Sequence, residues 1–376
     1  MKISFLFIFI LLSFKLYASN IIFESDKGSK IYGKKITQFD YPWSIKFIED
    51  EKLLVSTMNG TMWLVETNGK KNKVSNIPKT FFGGQGGLGD IALHSNFKRN
   101  SIIFFSLVES NDNGKTRGSI VYSAKLIVSP KPKLINLKII WRQHPHLESK
   151  VHFSQKILIP PKNSIHKNKI FISSGDRRNS EISHLFNNSL GKIIRLSQDG
   201  SIPKDNPFQN NGELAKIFWT IGHRNVLGMV FDKDDNFFIN EMGPKHGDEL
   251  NIIKKGKDYG WPFVSEGNHY DGRKIPQHKT NKNFEAPVIS WTPSIAPSSF
   301  IIYNGNKFFN WKHLGLISSL IGKSLVVVNL SKPFKEVERV RMKKRIRDLD
   351  QSPSEDIWVI EDGKKASLIK IYKIKH

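Results

Sequence analysis

The chain alternates short apolar runs with polar turns, and no long stretch carries helical periodicity. One pattern recurs: an apolar strand, a polar turn, a second apolar strand, then a small or acidic residue. It runs as IKFIEDEKLLVSTMNG from Ile45, IALHSNFKRNSIIFFSLVE from Ile91 and KILIPPKNSIHKNKIFISSGD from Lys156. It returns as GMVFDKDDNFFINEMG from Gly228 and RDLDQSPSEDIWVIEDG from Arg347, with a weaker copy, SFIIYNGNKFFNW, from Ser299. The units are spaced on the order of 50 to 70 residues, the period of propeller blades. This predicts an all-β chain, a six-bladed β-propeller with four-stranded antiparallel blades, filling residues 20–376 as one domain. A pair of β-sandwiches is the plainer alternative, and six phased units favour the ring. Asn59-Gly60, Asp199-Gly200 and Asn304-Gly305 punctuate expected turns. Lys254 to Asn283 is long and polar, and predicts a loop excursion on one face.

Residues 1–19 break the pattern. Lys2, an apolar run from Ile3 to Phe14, and Leu16-Tyr17-Ala18 read as an export signal, too short to span a bilayer. No other segment approaches a membrane span, so a soluble periplasmic or secreted protein is expected after signal removal. The chain has no cysteine, so an exported protein of this kind relies on core burial and ions rather than disulfides. Formal charge is +24, and subtracting Lys2 and Lys15 of the leader leaves +22. The basic residues are spread along the chain, without the aromatic interleaving of a single-strand binder, which argues against nucleic acid as a partner. Attraction of an acidic small molecule fits better.

A ring gathers loops from every unit around its axis, so functional residues are expected from several repeats. Gly83 to Asp90 sets four glycines around Gln85, which suits either close backbone approach to a ligand or a tight connection between blades. His152 stands at a loop-to-strand boundary, where a neutral imidazole can accept a proton or simply be a hydrogen-bonded surface group. Arg224-Asn225 precedes a strand, and alternation puts Arg345 and Arg347 on one face of another. Paired guanidinium groups suit carboxylates or phosphates. Gly243-Pro244, Asp248, Glu249 and Tyr259 offer the hard oxygen atoms calcium prefers, without EF-hand spacing. A zinc site is not expected without Cys or a compact His pair.

These segments together resemble a known family. GQGGLGDIALHSNF, HFSQKI, GKIIRLSQDGSIPKDNPF, GHRNVLGMVFD, EMGPKHGDELN, YGWP, SIAPSSFIIYNG and RIRDLDQSP look like the PQQ-dependent glucose/sorbosone dehydrogenases, in particular the soluble aldose dehydrogenase branch. The resemblance covers nearly the whole chain after the leader, in order. It implies a six-bladed propeller, typically periplasmic, that oxidises the anomeric hydroxyl of aldoses to a lactone and passes electrons to an external acceptor. It implies His152 as general base. Gln85, Arg224, Asn225, Tyr270, Arg345 and Arg347 would hold PQQ, a tricarboxylate. The carbonyls of Gly243 and Pro244 would contact a catalytic calcium, and Glu249 with the Tyr259 carbonyl would bind a second, structural calcium. The expected assembly is a monomer or homodimer. Three positions depart from the family: Ile321 stands where it has a cofactor-binding Lys, with Lys323 two residues on; Val151 precedes the histidine where Asp or Asn is common; and Met242 replaces a polar residue before Gly243. Two other readings stand beside this one, the first motivated by Ile321 and Val151. One is a redox-inactive propeller binding calcium and a sugar or acidic glycan. The other is a calcium-dependent propeller lactonase, whose acidic and amide channel ligands the arginine trio does not match.

Overall fold

A computed structural model describes residues 20–373; the expected leader, residues 1–19, lies outside the described residues. Among the described residues the chain is almost entirely antiparallel β-structure, relieved by one short helix, Phe97–Asn100, and four 3-10 turns. Four sheets have four strands each. The first comprises Pro42–Glu49, Lys52–Thr57, Thr61–Glu66 and Lys71–Val74. The second runs through Leu88–Leu93, Ile102–Glu109, Gly118–Ile127 and Lys133–Arg142. The third holds Ser154–Leu158, Lys169–Ser174, Lys192–Ser197 and Phe218–Thr220, and the fourth Val226–Phe231, Phe237–Glu241, Asp248–Ile253 and Ile289–Trp291.

The remaining strands correct the expectation of six separate blades, because they form one nine-stranded sheet. The cause is the strand Ile21–Ser25. It pairs on one side with Lys30–Phe39 and on the other, through Glu24↔Arg341 and Ser25↔Val340, with Lys335–Arg341. Hydrogen bonding therefore runs unbroken from Pro297–Ile302 to Ile346–Gln351, the two edges of that sheet.

The arrangement is propeller-like. The first strand of each four-stranded sheet and both edge strands of the large sheet line one central cavity of about 490 Å³. Neighbouring sheets share apolar cores. Leu54 and Met62 pack with Ile103 and Phe105, whereas Leu53 and Val55, on the opposite face, pack with Trp358 and Leu368. Successive side chains point to opposite faces of a strand, so a strand covered on both sides must be apolar throughout. That is why runs such as LLV and IIFF read as continuous. Around the cavity, carboxylates replace the ladder bonds that sheets cannot exchange. Asp90 accepts the Ile157 N–H at 2.9 Å, Asp348 accepts that of Ile45 at 2.7 Å, and Asp350 that of Phe47 at 2.9 Å. Lys156 and Lys46 pair with Asp90 and Asp350 at 2.9 Å. Gly60 and Gly200 take the left-handed conformation their turns require, with φ of 94° and 89°. The polar excursion after Ile253 carries only the 3-10 turn His278–Thr280 before Ile289–Trp291. No helix among the described residues is long and apolar enough to cross a membrane.

Candidate functional site

His152 is held before the strand Ser154–Leu158 by an irregular backbone. His152, Ser154 and Gln155 all have positive φ, at 51°, 60° and 73°, and the pairing with Lys169–Ser174 slips between Ser154 and Ile157. Such conformations are costly for residues with a side chain and persist only where their surroundings enforce them. Here Gln85 Oε1 accepts the His152 N–H at 2.7 Å. Arg177, fully buried, lies 3.6 Å over the Phe153 ring and donates to the carbonyls of Val151, Ser149 and Arg117 and to Gln143 Oε1. The glycine-rich segment serves the same packing. A Cβ on Gly84 would lie 2.2 Å from the Lys150 carbonyl, and one on Gly87 would lie 2.2 Å from that of Met58. Tight connection, one of its two readings, is what those glycines provide. Gly175 is equally constrained, since a Cβ there would meet the His152 carbonyl at 2.0 Å. Gly175→Ala is therefore expected to destabilise the fold by about 1–3 kcal/mol, seen as a lowered thermal midpoint.

The imidazole is buried, and its Nδ1 lies 2.7 Å from Asp176 Oδ1. Burial raises the Asp176 carboxyl, but the hydrogen bond and charge of His152 and the charge of Arg224 outweigh it, leaving the group below its ordinary range. An ionised Asp176 can only accept, so Nδ1 carries the proton and Nε2 offers a lone pair. Nε2 takes no partner among the described residues. Burial pulls the His152 pKa below its ordinary value, against the opposing pull of the Asp176 hydrogen bond. This is the orientation a general base needs. Asp176 ends the SSGD of the third repeat and Trp261 belongs to the YGWP quoted above, but neither was picked out from sequence.

Gln85, Asn225, Tyr270, Arg345 and Arg347 line one cavity of about 460 Å³, with Phe153 and Ser154 on its wall beside His152. That volume suits a small-molecule ligand. Tyr41, Trp43 and Phe82 supply an aromatic side, and Ile321, 61% exposed, lines the cavity where Lys323 does not. Arg345 and Arg347 both hold Asp362, at 2.8 Å each, although Arg345 precedes the strand Ile346–Gln351, whose pairing slips between Ile346 and Asp348, so simple alternation along one strand does not account for it. Arg347 also lies 4.8 Å over Trp43. Burial pushes the Asp362 carboxyl up, and the Arg347 and Arg345 charges more than reverse this. Asp362 lay in the quoted VIEDG, but the structure adds its role.

Arg224, Gly243, Pro244, Glu249 and Tyr259 meet instead in an adjoining crevice of about 10 Å³, which shares Met242 with the larger cavity. That is the scale of a single ion or water. Arg224 donates to the Met242 carbonyl at 3.0 Å and reaches the Tyr270 hydroxyl at 3.4 Å, while its buried Nε has no partner. An unpartnered guanidinium N–H fits an anionic ligand. Among the described residues nothing donates to the Gly243 or Pro244 carbonyls. Asp248, offered by the sequence as a ligand, is instead committed to three backbone N–H groups, of Gly243, Ile295 and Ala296. It braces the turn that presents those carbonyls.

Behind them stand Glu241 and Glu249, bridged by Asn251 Nδ2 at 3.3 and 3.1 Å. Burial, then Glu241 and further on Glu266, push the Glu249 carboxyl well up. Glu241 is met by His223 Nδ1 at 3.1 Å and by the Arg224 backbone N–H at 2.9 Å, while Glu249 has the Asn251 amide and carboxylate neighbours, a setting that favours a cation beside it. The Tyr259 carbonyl and Glu266 are engaged by His278, at 3.2 Å each. Among the described residues no three His, Asp or Glu side chains form a metal cluster, so an ion would lean on carbonyl oxygens and water. Carbonyl-rich sets of that kind suit calcium.

A glucose/sorbosone dehydrogenase family model matches residues 39–370. Over 344 residues the chain is 31% identical to the aldose sugar dehydrogenase YliI of Escherichia coli K12, spanning 89% of this chain and 90% of that protein. It is 26% identical over 424 residues to quinoprotein glucose dehydrogenase B of Acinetobacter calcoaceticus, spanning 83% and 85%. The apo soluble aldose sugar dehydrogenase of Escherichia coli superposes with a TM-score of 0.84 at 29% identity, covering 91% of this chain and 99% of that one.

Proposed function

The chain belongs to the glucose/sorbosone dehydrogenase family, and from that premise we propose that it is an exported, PQQ- and calcium-dependent aldose dehydrogenase. It would oxidise the anomeric hydroxyl of sugars to lactones and deliver electrons to an external acceptor. Relatives named as aldose sugar dehydrogenase and quinoprotein glucose dehydrogenase make it an oxidoreductase. The observation that carries the reading is the His152–Asp176 pair at 2.7 Å beside a cavity that also presents two arginines. We read the nine-stranded sheet as two four-stranded blades bridged by Ile21–Ser25, which would complete a six-bladed ring in one domain.

In this reading the sugar hydroxyl lies against His152 Nε2, which takes its proton. Asp176 keeps the imidazole in one tautomer and stabilises the imidazolium that forms. Arg224, Asn225, Gln85, Tyr270, Arg345 and Arg347 would hold the anionic cofactor. The Gly243 and Pro244 carbonyls would offer oxygen to a calcium ion, and Glu249 with the Tyr259 carbonyl would offer oxygen to a second. When bound, PQQ supplies a two-electron acceptor for the hydride from the sugar carbon, polarised by the ion. The phenyl and indole faces of Phe82 and Trp43 would exclude water from the reacting centre.

Reconstitution tests the reading directly. Adding PQQ and calcium to the purified protein should give a cofactor spectrum and sugar-dependent dye reduction. Absence of both would sink it. Because burial lowers the His152 pKa, the acidic limb of kcat/KM should fall below about pH 6.5, the ordinary imidazole value. Activity is lost as pH drops through that limb and the base protonates, and a limb above pH 7 would contradict the assignment. Ile321 in the cavity wall favours a second reading, a redox-inactive propeller binding calcium and a sugar or acidic glycan. Calorimetry separates the two, since only the first binds PQQ.

A further inference from the structure

Trp261 is half-buried and joins none of the apolar cores, yet it sits where the base and the cofactor-gripping arginine meet. Its indole Nε1–H donates to Asp176 Oδ2 at 2.8 Å. The other carboxylate oxygen, Oδ1, takes His152 Nδ1 and the Arg178 backbone N–H. Among the described residues Trp261 supplies the one side-chain donor to Oδ2, on a carboxylate that is 1% exposed. The same ring carries the Arg224 guanidinium at 5.3 Å. The Trp261 main chain is fastened independently. Its carbonyl accepts the Ser183 hydroxyl at 2.5 Å and faces His184 Nε2 at 2.7 Å, and its N–H donates to the Gly222 carbonyl at 3.0 Å. His184 is itself set by Asp258 at 2.6 Å. The Ser183 carbonyl is gripped in turn by the fully buried Lys192, at 2.5 Å. A residue that merely filled space would need neither the donor nor this scaffold.

We propose that Trp261 is a positioning residue that sets the proton-accepting and anion-gripping groups together: its indole N–H fixes the Asp176 carboxylate that orients His152, while its ring seats Arg224. The proposal rests on the dehydrogenase reading for its catalytic consequence, but the linkage to His152 exists without it. Removing the N–H leaves Oδ2 unsatisfied and concentrates the carboxylate charge on the bond to His152. A stronger anion beside Nδ1 favours the imidazolium, so the base protonates at higher pH.

The test is Trp261→Phe, which keeps an aromatic face for Arg224 and removes only the donor. In the PQQ- and calcium-loaded full-length protein, kcat should fall roughly tenfold or more, because a carboxylate no longer fixed at Oδ2 lets the imidazole leave the reacting orientation. KM for sugar should stay within about twofold, and the acidic limb of kcat should move up by on the order of half a pH unit. Selective ¹⁵N-histidine NMR of the cofactor-free protein should show the His152 resonances, assigned by their loss in His152→Gln, titrating at correspondingly higher pH. Unchanged His152 titration and an unchanged kcat profile in folded Trp261→Phe would overturn the proposal. If the wild type itself shows no PQQ-dependent turnover, the enzymatic reading fails, and the NMR comparison still decides the role of Trp261. Should Trp261→Phe not fold, Ser183→Ala removes one of the two partners of the Trp261 carbonyl and leaves His184 in place. A smaller upward shift of the His152 titration there supports the proposal, and none overturns it.

Discussion

Replacing His152 by alanine is expected to lower kcat by roughly 10²- to 10⁴-fold, the usual contribution of a positioned base. PQQ affinity should stay within a few-fold of wild type, because the cofactor contacts proposed for Gln85, Arg224, Asn225, Tyr270, Arg345 and Arg347 are untouched. The split matters. A group that acts on the proton in the transition state reduces kcat, whereas one that holds the cofactor reduces loading. Removing the imidazole also strips Asp176 of its Nδ1 partner at 2.7 Å. Asp176 keeps the Arg178 N–H on that oxygen but loses its imidazole donor, and with hydrogen bonds to charged groups worth about 1.5–3 kcal/mol, a modest fall in thermal midpoint should accompany the loss. Dye reduction at saturating sugar and PQQ, with a spectral titration of the same sample, checks both halves. A variant retaining more than a tenth of wild-type kcat would remove His152 from the role of base.

The second large effect is expected at the arginine pair. Arg345→Gln with Arg347→Gln should weaken PQQ binding by roughly 10²-fold or more, at about 1.5–3 kcal/mol for each charge-assisted contact removed. The double change carries a side effect that must be separated. Both arginines hold Asp362, and their loss strands a largely buried carboxylate whose ionisation they favour. Adding Asp362→Asn removes that stranded charge. The triple variant should recover thermal stability and still bind PQQ weakly. Recovery of affinity alongside stability would show that the arginines serve Asp362 and not the cofactor.

What the sequence disclosed follows from which contacts are local. Runs such as Leu53-Leu54-Val55 announce a strand covered on both faces, because every position must then be apolar. The arginine pair at 345 and 347 was legible as a pair, but Arg345 lies just before its strand and the two converge through Asp362. The unbroken nine-stranded sheet was not legible, since it turns on Glu24 meeting Arg341, a pairing with no local trace. In the site, Gln85, Arg224 and Asn225 stood out through the motifs that contain them, and Tyr270 only through the family resemblance. Asp176, Trp261 and Asp362 sat inside the same quoted segments without a role, because each acquires one only from a partner brought near by the sheets. Asp176 meets His152 across 24 residues and Trp261 across 85. Ile321 shows the reverse case. The sequence marked the departure, and the structure adds that the side chain faces the cavity, so the wall there is apolar where a cation was expected.

The pairing of Lys30–Phe39 with Ala366–Tyr372 sets an order of events. The first of these strands is made well before the second, and it stays unpaired on that side until Ala366–Tyr372 joins it. Arg345 and Arg347 lie shortly before that closing segment. The large sheet is therefore complete only once Ala366–Tyr372 is present, and a chain cut short before Ala366 is expected to leave Lys30–Phe39 half-paired even with His152, Arg224 and the carbonyl turn already made.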